Sequence, residues 1–172
     1  MKSTLIALGA ICLCAATASA QAVNDAQIAS IVVTANQVDI DAGTLAAATS
    51  KHAEVKKFAQ LMVTDHAGVN KQAVTLVTKL KVTPQDNDTS KSLKAGGEKN
   101  IANLKTLKDA AFDKAYVDQE VAYHQAVLDA VDKTLIPNAT NAELKALLVK
   151  VRPAFVTHLE HAKHLQSTLG KQ

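Results

Sequence analysis

Apolar residues recur at alternating steps of four and three along three stretches of the chain, which span residues 55–80, 117–135 and 144–169. This spacing places one apolar stripe along the inward face of a helix. Each stripe is interrupted by one histidine, and these are His66, His124 and His158. A polar side chain on such a face destabilises the fold unless it is hydrogen-bonded or ligated. The pattern therefore predicts buried histidines on three long helices.

A fourth stripe lies nearer the N-terminus, runs from Ile28 to Thr49, and is interrupted by Asp39. Asn24 or Asp25 is suited to cap the start of this helix, because both side chains accept backbone N–H bonds. The pattern breaks at residues 49–51, so we expect a tight turn into a second helix that begins at His52 or Ala53.

Helix-breaking residues divide the remainder of the chain. The second helix is predicted to end near Lys81, and Pro84 follows it as a stop signal. Residues 92–107 have weak helical periodicity interrupted by two glycines, which indicates a short crossover helix. A third long helix is predicted for residues 110–135. A turn at Pro137-Asn138 then leads into a fourth long helix that ends near Leu169, with a kink at Pro153.

The predicted fold class is therefore all-α. Four long helices with one long connection in the middle are typical of a ferritin-like four-helix bundle, in which a crossover helix joins the second and third long helices. A plain up-down-up-down order of the helices is the alternative, and the pattern alone leaves both open.

The N-terminal segment predicts export. Residues 1–20 combine the positive Lys2, an apolar stretch at residues 5–16, and a small-residue cleavage site that ends at Ala20. We expect this signal peptide to be cleaved, which leaves residues 21–172 as one domain in the periplasm, with association with the outer membrane as an alternative. Both cysteines lie in the signal peptide, so no disulfide is expected in the mature chain. No later apolar run is long enough for a transmembrane span.

Charge and motifs exclude several functions. The 172-residue chain has a formal net charge of +3, with its basic residues spread along every segment. No basic stripe alternates with aromatic residues, so nucleic acid is not an expected partner. The chain contains neither a Gly-x-Ser-x-Gly motif nor a phosphate-binding glycine loop, and we therefore expect no enzyme of those classes.

Positions along the helix axes place the polar interruptions near each other. At about 1.5 Å per residue, His66 and His124 both lie near mid-height, Asp39 within about one turn of them, and His158 somewhat further away. Carboxylates accompany the histidines, since Asp65 precedes His66 and Glu120 lies four residues before His124. Imidazole with carboxylate suits zinc, iron, copper or nickel. The predicted metal ligands and orienting residues are His66, His124, His158, Glu120, Asp65 and Asp39.

Two other interpretations remain open for these residues. Each histidine can be a hydrogen-bonded core residue, in which case the protein is a metal-free structural or interaction module of the cell envelope. A redox enzyme is a third class, and it would need an open coordination position on the metal. A second histidine run continues from His158 to His161 and His164. We expect the last two to lie on a solvated face, with a surface metal site as the alternative.

Three blocks of residues carry a family resemblance. They are Phe58–His66 with Asn70, Phe112–Tyr116 with His124, and Pro153 with His158–Ala162. In this order they resemble the bacterial exported proteins of the domain-of-unknown-function 4142 family. The resemblance implies a ferritin-like bundle whose polar signature is Asp65, His66, Tyr116, His124 and His158. It implies no established reaction.

The same blocks depart from the di-iron ferritins, which use Glu-x-x-His on two helices. The residues three before the histidines are Val63, Val121 and Phe155. We therefore expect a histidine-rich site without a di-iron centre, in an exported bundle that handles metal or protects against stress.

Overall fold

The regular secondary structure is helical throughout the part of the chain that the computed structural model describes, which is residues 22–169 and residue 171. The helices are α1 (Asp25–Thr49), α2 (Ala53–Leu80), α3 (Asp88–Leu104), α4 (Asp109–Ala130), α5 (Ile136–Asn138) and α6 (Ala142–Leu169). A π-helical segment, Val131–Leu135, joins α4 to α5. The predicted all-α class is confirmed. The predicted signal peptide lies outside the described residues.

Side-chain caps fix the starts of α1 and α3. Asn24 accepts a hydrogen bond from the backbone N–H of Gln27, whose side chain in turn accepts from the backbone N–H of Asn24. Such a reciprocal pair satisfies two N–H groups that a helix start otherwise leaves free. Asn87 caps α3 by accepting from the backbone of Thr89 and Ser90. This cap starts α3 four residues before the predicted position, and the helix continues through Gly96 and Gly97.

The helix directions follow from contacts at the two ends of the molecule. The short connection at residues 50–52 makes α1 and α2 antiparallel. The chain then returns to the start of α1, where the backbone N–H of Gln85 donates to the carbonyl of Ala26. From there α3 runs beside α1 to the opposite end, where Lys51 and Asp109 form an ion pair at the start of α4. Thus α2 and α4 run in the same direction, and α3 is the connection between them.

The end of the third long helix differs from the sequence prediction. Residues 131–135 form the π-helical segment, and Pro137-Asn138, predicted as a turn, are helical instead. Pro137 is the second residue of α5, which continues directly from the π-helical segment. The turn falls three residues later, before α6. Helix α6 is continuous through Pro153.

The core consists of two apolar clusters, one toward each end of the molecule. The lower cluster contains Ile28, Leu128, Leu148 and Phe155, and the upper one contains Val55, Phe58 and Val117 among others. Close helix packing supports the upper cluster. A Cβ atom on Gly43 of α1 would lie 2.9 Å from the carbonyl oxygen of Ala59 of α2. A layer of buried polar side chains lies between the two clusters. This polar layer consists of Asn36, Asp39, His66, Glu120, His124 and His158.

None of the helices in the described part of the chain is both long enough and apolar enough to cross a membrane.

Candidate metal centre

Three histidine rings from three helices meet in the polar layer. His66 of α2, His124 of α4 and His158 of α6 are at most 3 % exposed. Their ring centroids are 5.2 Å apart for His66 and His158, 5.4 Å for His124 and His158, and 5.5 Å for His66 and His124. One potential ligand atom of each histidine lies within 4.8 Å of those of the other two. The three predicted residues therefore come together, and His158 lies closer than its position along the sequence indicated.

The tautomer of His66 is set by Asn36. The Nδ1 atom of His66 lies 2.7 Å from Oδ1 of Asn36. The orientation of that amide is fixed, because its nitrogen donates to the carbonyl of Val32 at 2.7 Å. Nδ1 of His66 must therefore be the donor, and in the neutral ring the lone pair is on Nε2. This nitrogen has no hydrogen-bond partner among the described residues.

The other two histidines have the same arrangement. In His124, Nδ1 donates to the backbone carbonyl of Glu120 at 3.0 Å. In His158, Nε2 donates to Oδ2 of Asp65 at 2.9 Å. The second nitrogen of each ring, Nε2 of His124 and Nδ1 of His158, is buried and has no hydrogen-bond partner in the described structure. A ring held by an oxygen on one nitrogen, with the other nitrogen available, is characteristic of metal-ligating histidines.

Two buried carboxylates adjoin the histidines. Oδ2 of Asp39 lies 2.9 Å from Nε2 of His66 and 3.4 Å from Nε2 of His124. Neither contact has hydrogen-bond geometry. Oε2 of Glu120 lies 3.4 Å from Nδ1 of His124. Asp39, Glu120 and His124 form a second group whose ligand atoms all lie within 4.8 Å of one another.

The two carboxylates differ in charge. Burial raises the pKa of Glu120 well above its ordinary value, and the negative charge of Asp39 raises it further. Burial alone would also raise the pKa of Asp39, but the contacts with His66 and His124 outweigh burial and lower it. Asp39 therefore carries the negative charge of the pair, while Glu120 retains its proton.

Burial also shifts the pKa values of two groups near this pair, His158 and Tyr116. It lowers the pKa of His158, against the opposing effect of the hydrogen bond to Asp65, which favours the neutral imidazole that binds metals. Burial raises the pKa of Tyr116 well above its ordinary value, as do the nearby Glu120 and Asp39. Tyr116 is thus a neutral phenol next to the polar layer.

The predicted residue Asp65 has a different place from the other five. Its side chain is 39 % exposed, and it belongs to neither group of converging ligand atoms. It contacts His158 alone and orients that ring. Sequence reasoning missed Asn36, although this residue lies three positions before Asp39 and so shares its helix face. It also missed the ring of Phe155, which stacks on His66 at 5.4 Å with an interplanar angle of 2°.

The second histidine run only partly matches its prediction. His164 is exposed, as expected. His161 is half-buried, because the ring of Phe58 packs against it with the centroids 4.9 Å apart in an edge-on arrangement. The 60° rotation between His158 and His161 keeps the second ring at the edge of the contact between α2 and α6. His164 therefore lies on the solvated face, and His161 lies at its border with the packed side chains.

Comparison with solved structures gives one informative likeness. The chain is similar to "CopM in the Cu(II)-bound form", with a TM-score of 0.66 and 18 % sequence identity. The likeness covers 85 % of this chain and 98 % of that chain, so the two proteins share a fold. No curated protein matches this chain.

Comparison with family models confirms the resemblance that was drawn from the residue blocks at Phe58–His66, Phe112–Tyr116 and Pro153–Ala162. The model described as "Domain of unknown function (DUF4142)" matches residues 12–165, which is most of the chain and includes every residue of the polar layer. The protein therefore belongs to the DUF4142 family.

Proposed function

We propose that this protein binds a transition-metal ion, with copper(II) as the first candidate, through His66, His124 and His158. Asp39 supplies the neighbouring carboxylate. The observation that carries the proposal is the shared state of the three histidines. Each ring is buried, each is held on one nitrogen by an oxygen, and each has its other nitrogen without a hydrogen bond.

The charge of the polar layer supports a cation. An ionised Asp39 lies beside three imidazole nitrogens that have no hydrogen-bond partner, in a place where hardly any side-chain atom reaches water. A buried charge and buried lone pairs without donors both destabilise a fold. A divalent ion would offset both, because it would bind the lone pairs and neutralise the carboxylate. We expect metal binding to stabilise the folded protein for this reason.

The donor set favours a particular class of metal. Imidazole nitrogen with carboxylate oxygen suits copper(II), zinc, nickel and iron, and among first-row divalent ions copper(II) has the highest general affinity for such ligands. The similar solved structure is described as a copper(II)-bound form, which supports copper as the first metal to test. Asn36, Asp65 and the carbonyl of Glu120 orient the three rings in this proposal.

The wider role follows from the fold and the N-terminal segment. We propose that the four long helices form a ferritin-like four-helix bundle with α3 as its crossover, and that residues 1–20 direct the protein to the periplasm. Its role there is metal handling or protection against metal stress, without catalytic turnover. N-terminal sequencing of protein from the cell envelope tests the export step, and we expect the mature chain to begin at Gln21.

Direct metal binding is tested by titrating untagged protein with copper(II), zinc, nickel and iron(II) against a competing chelator. The protein should be a double variant, His161→Ala with His164→Ala, because these two histidines lie outside the polar layer and can bind metal at the surface. We expect one tight site and a higher melting temperature with metal. No tight site, and no thermal shift with any of the four ions, would favour the metal-free structural module.

A further inference from the structure

An apolar cavity of about 240 Å³ adjoins the polar layer. It lies among α1, α3, α4, α6 and the π-helical segment, below the histidines in the lower half of the molecule. Most of its wall consists of apolar side chains, including Ile31, Val127, Val131 and Leu135. Its inner end is polar, and the residues there are Asn36, Asp39, His66 and His124.

The cavity has an entrance as well as an inner end. Two of its lining residues, Thr89 at the start of α3 and Ala126 of α4, are exposed, so the cavity reaches solvent between these two helices. Tyr123 also lines it, and its hydroxyl donates to the carbonyl of Ala35 at 2.8 Å. This hydrogen bond fixes the Tyr123 side chain against α1. The ring of Tyr123 therefore lines the passage from the entrance to the polar layer.

The π-helical segment is built into this wall. Val131 and Leu135, its first and last residues, both line the cavity and are nearly fully buried. Short π-helical segments inside α-helices frequently occur at functional sites, because the extra residue per turn displaces side chains and widens the helix locally. Here the segment follows α4 directly, at the part of the wall that faces α1 and α6.

We infer that this cavity is a binding chamber for one small, neutral, apolar molecule, of the size of a substituted benzene ring. An engineered apolar cavity of about 150 Å³ stays free of water and binds benzene, so the larger volume here admits a somewhat larger ring. The apolar wall gives a charged molecule no compensation for its lost hydration. A bound molecule would contact the polar layer on the side of His66 and His124.

This chamber does not depend on metal binding, so it can be tested on metal-free protein. Toluene is the probe, and the readout is the methyl NMR spectrum of the purified protein. We expect toluene to shift the methyl signals of Val127, Val131 and Leu135 in a saturable way. The methyl signals of Val55 and Leu165, which lie in the upper cluster, should not move.

A filling variant and a matched control complete the test. Ala130→Phe places a ring at the half-buried wall position of Ala130 and should abolish the toluene shifts. Ala122→Phe makes the same change two turns earlier on α4, at an exposed position outside the cavity, and should leave the shifts intact. Absence of saturable shifts in the wild-type protein, shifts spread over both clusters, or undiminished binding by Ala130→Phe would each overturn the inference.

Discussion

Oδ2 of Asp39 lies 2.9 Å from Nε2 of His66, yet the two atoms do not form a hydrogen bond. His66 donates its Nδ1 proton to Asn36, so in the neutral ring the lone pair is on Nε2, the nitrogen nearest the carboxylate. Two electron-rich atoms at this distance repel each other unless a proton or a cation lies between them. The contact between Asp39 and His66 therefore requires either a proton or a bound cation between the two atoms.

Asn36 should control metal affinity without being a ligand. We expect Asn36→Ala to weaken copper(II) binding by about 10–100-fold, because residues that orient a ligating histidine have effects of this size. The measurement is a competition titration against a chelator, with circular dichroism to verify that the variant is folded. Gln37→Ala is the matched control, since Gln37 is the next residue on α1 but is exposed and bonds only to Asp41. Equal affinities for Asn36→Ala and Gln37→Ala would contradict the proposed orienting role.

Gly43 should be required for the packing of α1 against α2. A methyl group at this position would lie 2.9 Å from the carbonyl oxygen of Ala59 and 3.1 Å from Cγ2 of Val63. We therefore expect Gly43→Ala to lower the free energy of unfolding by about 1–3 kcal/mol, as overpacking of a core does. Chemical denaturation monitored by circular dichroism measures this change.

Gly68→Ala provides the opposite case. A Cβ atom at Gly68 of α2 would meet nothing within 4 Å. Alanine has the higher helix propensity, so this substitution should raise the free energy of unfolding by up to about 1 kcal/mol. If the two glycine substitutions had the same sign, close packing at Gly43 would not be the reason for its glycine.

Asp25 should make stability depend on pH through its contacts at the lower end of the molecule. Its carboxylate accepts hydrogen bonds from the hydroxyl and backbone N–H of Thr140 and from the backbone N–H of Asn141. Burial alone would raise the pKa of Asp25, but these hydrogen bonds outweigh it and lower the pKa below 3.8. The stabilisation is therefore present above the unfolded pKa and is lost as the pH falls through the folded one.

The test of this contact is Asp25→Asn. At neutral pH we expect the substitution to lower the free energy of unfolding by about 1 kcal/mol, since charged hydrogen bonds at a partly exposed site are weakened by solvent. Below the folded pKa of Asp25, variant and wild type should have closely similar stabilities. Urea denaturation at several pH values measures both. A difference that stays constant down to the lowest pH would show that the charge of Asp25 contributes nothing.

The helices and the members of the polar layer were largely predictable from sequence, because both depend on periodicity. The stripe of apolar residues placed His66, His124 and His158 on inward faces, and the rise per residue gave their heights. Rotation of the helices about their axes was not predictable in this way. For that reason Asp65 was predicted only as one of the ligands or orienting residues, and His161 was placed on the same solvated face as His164.

Other features could not be recognised as parts of the site from the sequence. Asn36 has an ordinary polar side chain, and only its contact with His66 distinguishes it from its neighbours. The π-helical segment at residues 131–135 has the apolar spacing of an α-helix, so its wider turn was not predicted. The cavity beside it is lined by side chains from several helices. The pattern of apolar and polar residues along the chain describes one helix at a time. It therefore does not predict features that several helices form together.

The most direct test of the central claim is the electron paramagnetic resonance spectrum of the copper(II)-loaded protein, recorded for the wild type and four single variants. We predict nitrogen hyperfine coupling from imidazole in the wild type, and an altered spectrum in each of His66→Ala, His124→Ala and His158→Ala. His164→Ala, at the exposed end of the histidine run, should have the wild-type spectrum. A spectrum that changes only in His164→Ala, or in none of the four variants, would contradict a metal centre in the polar layer.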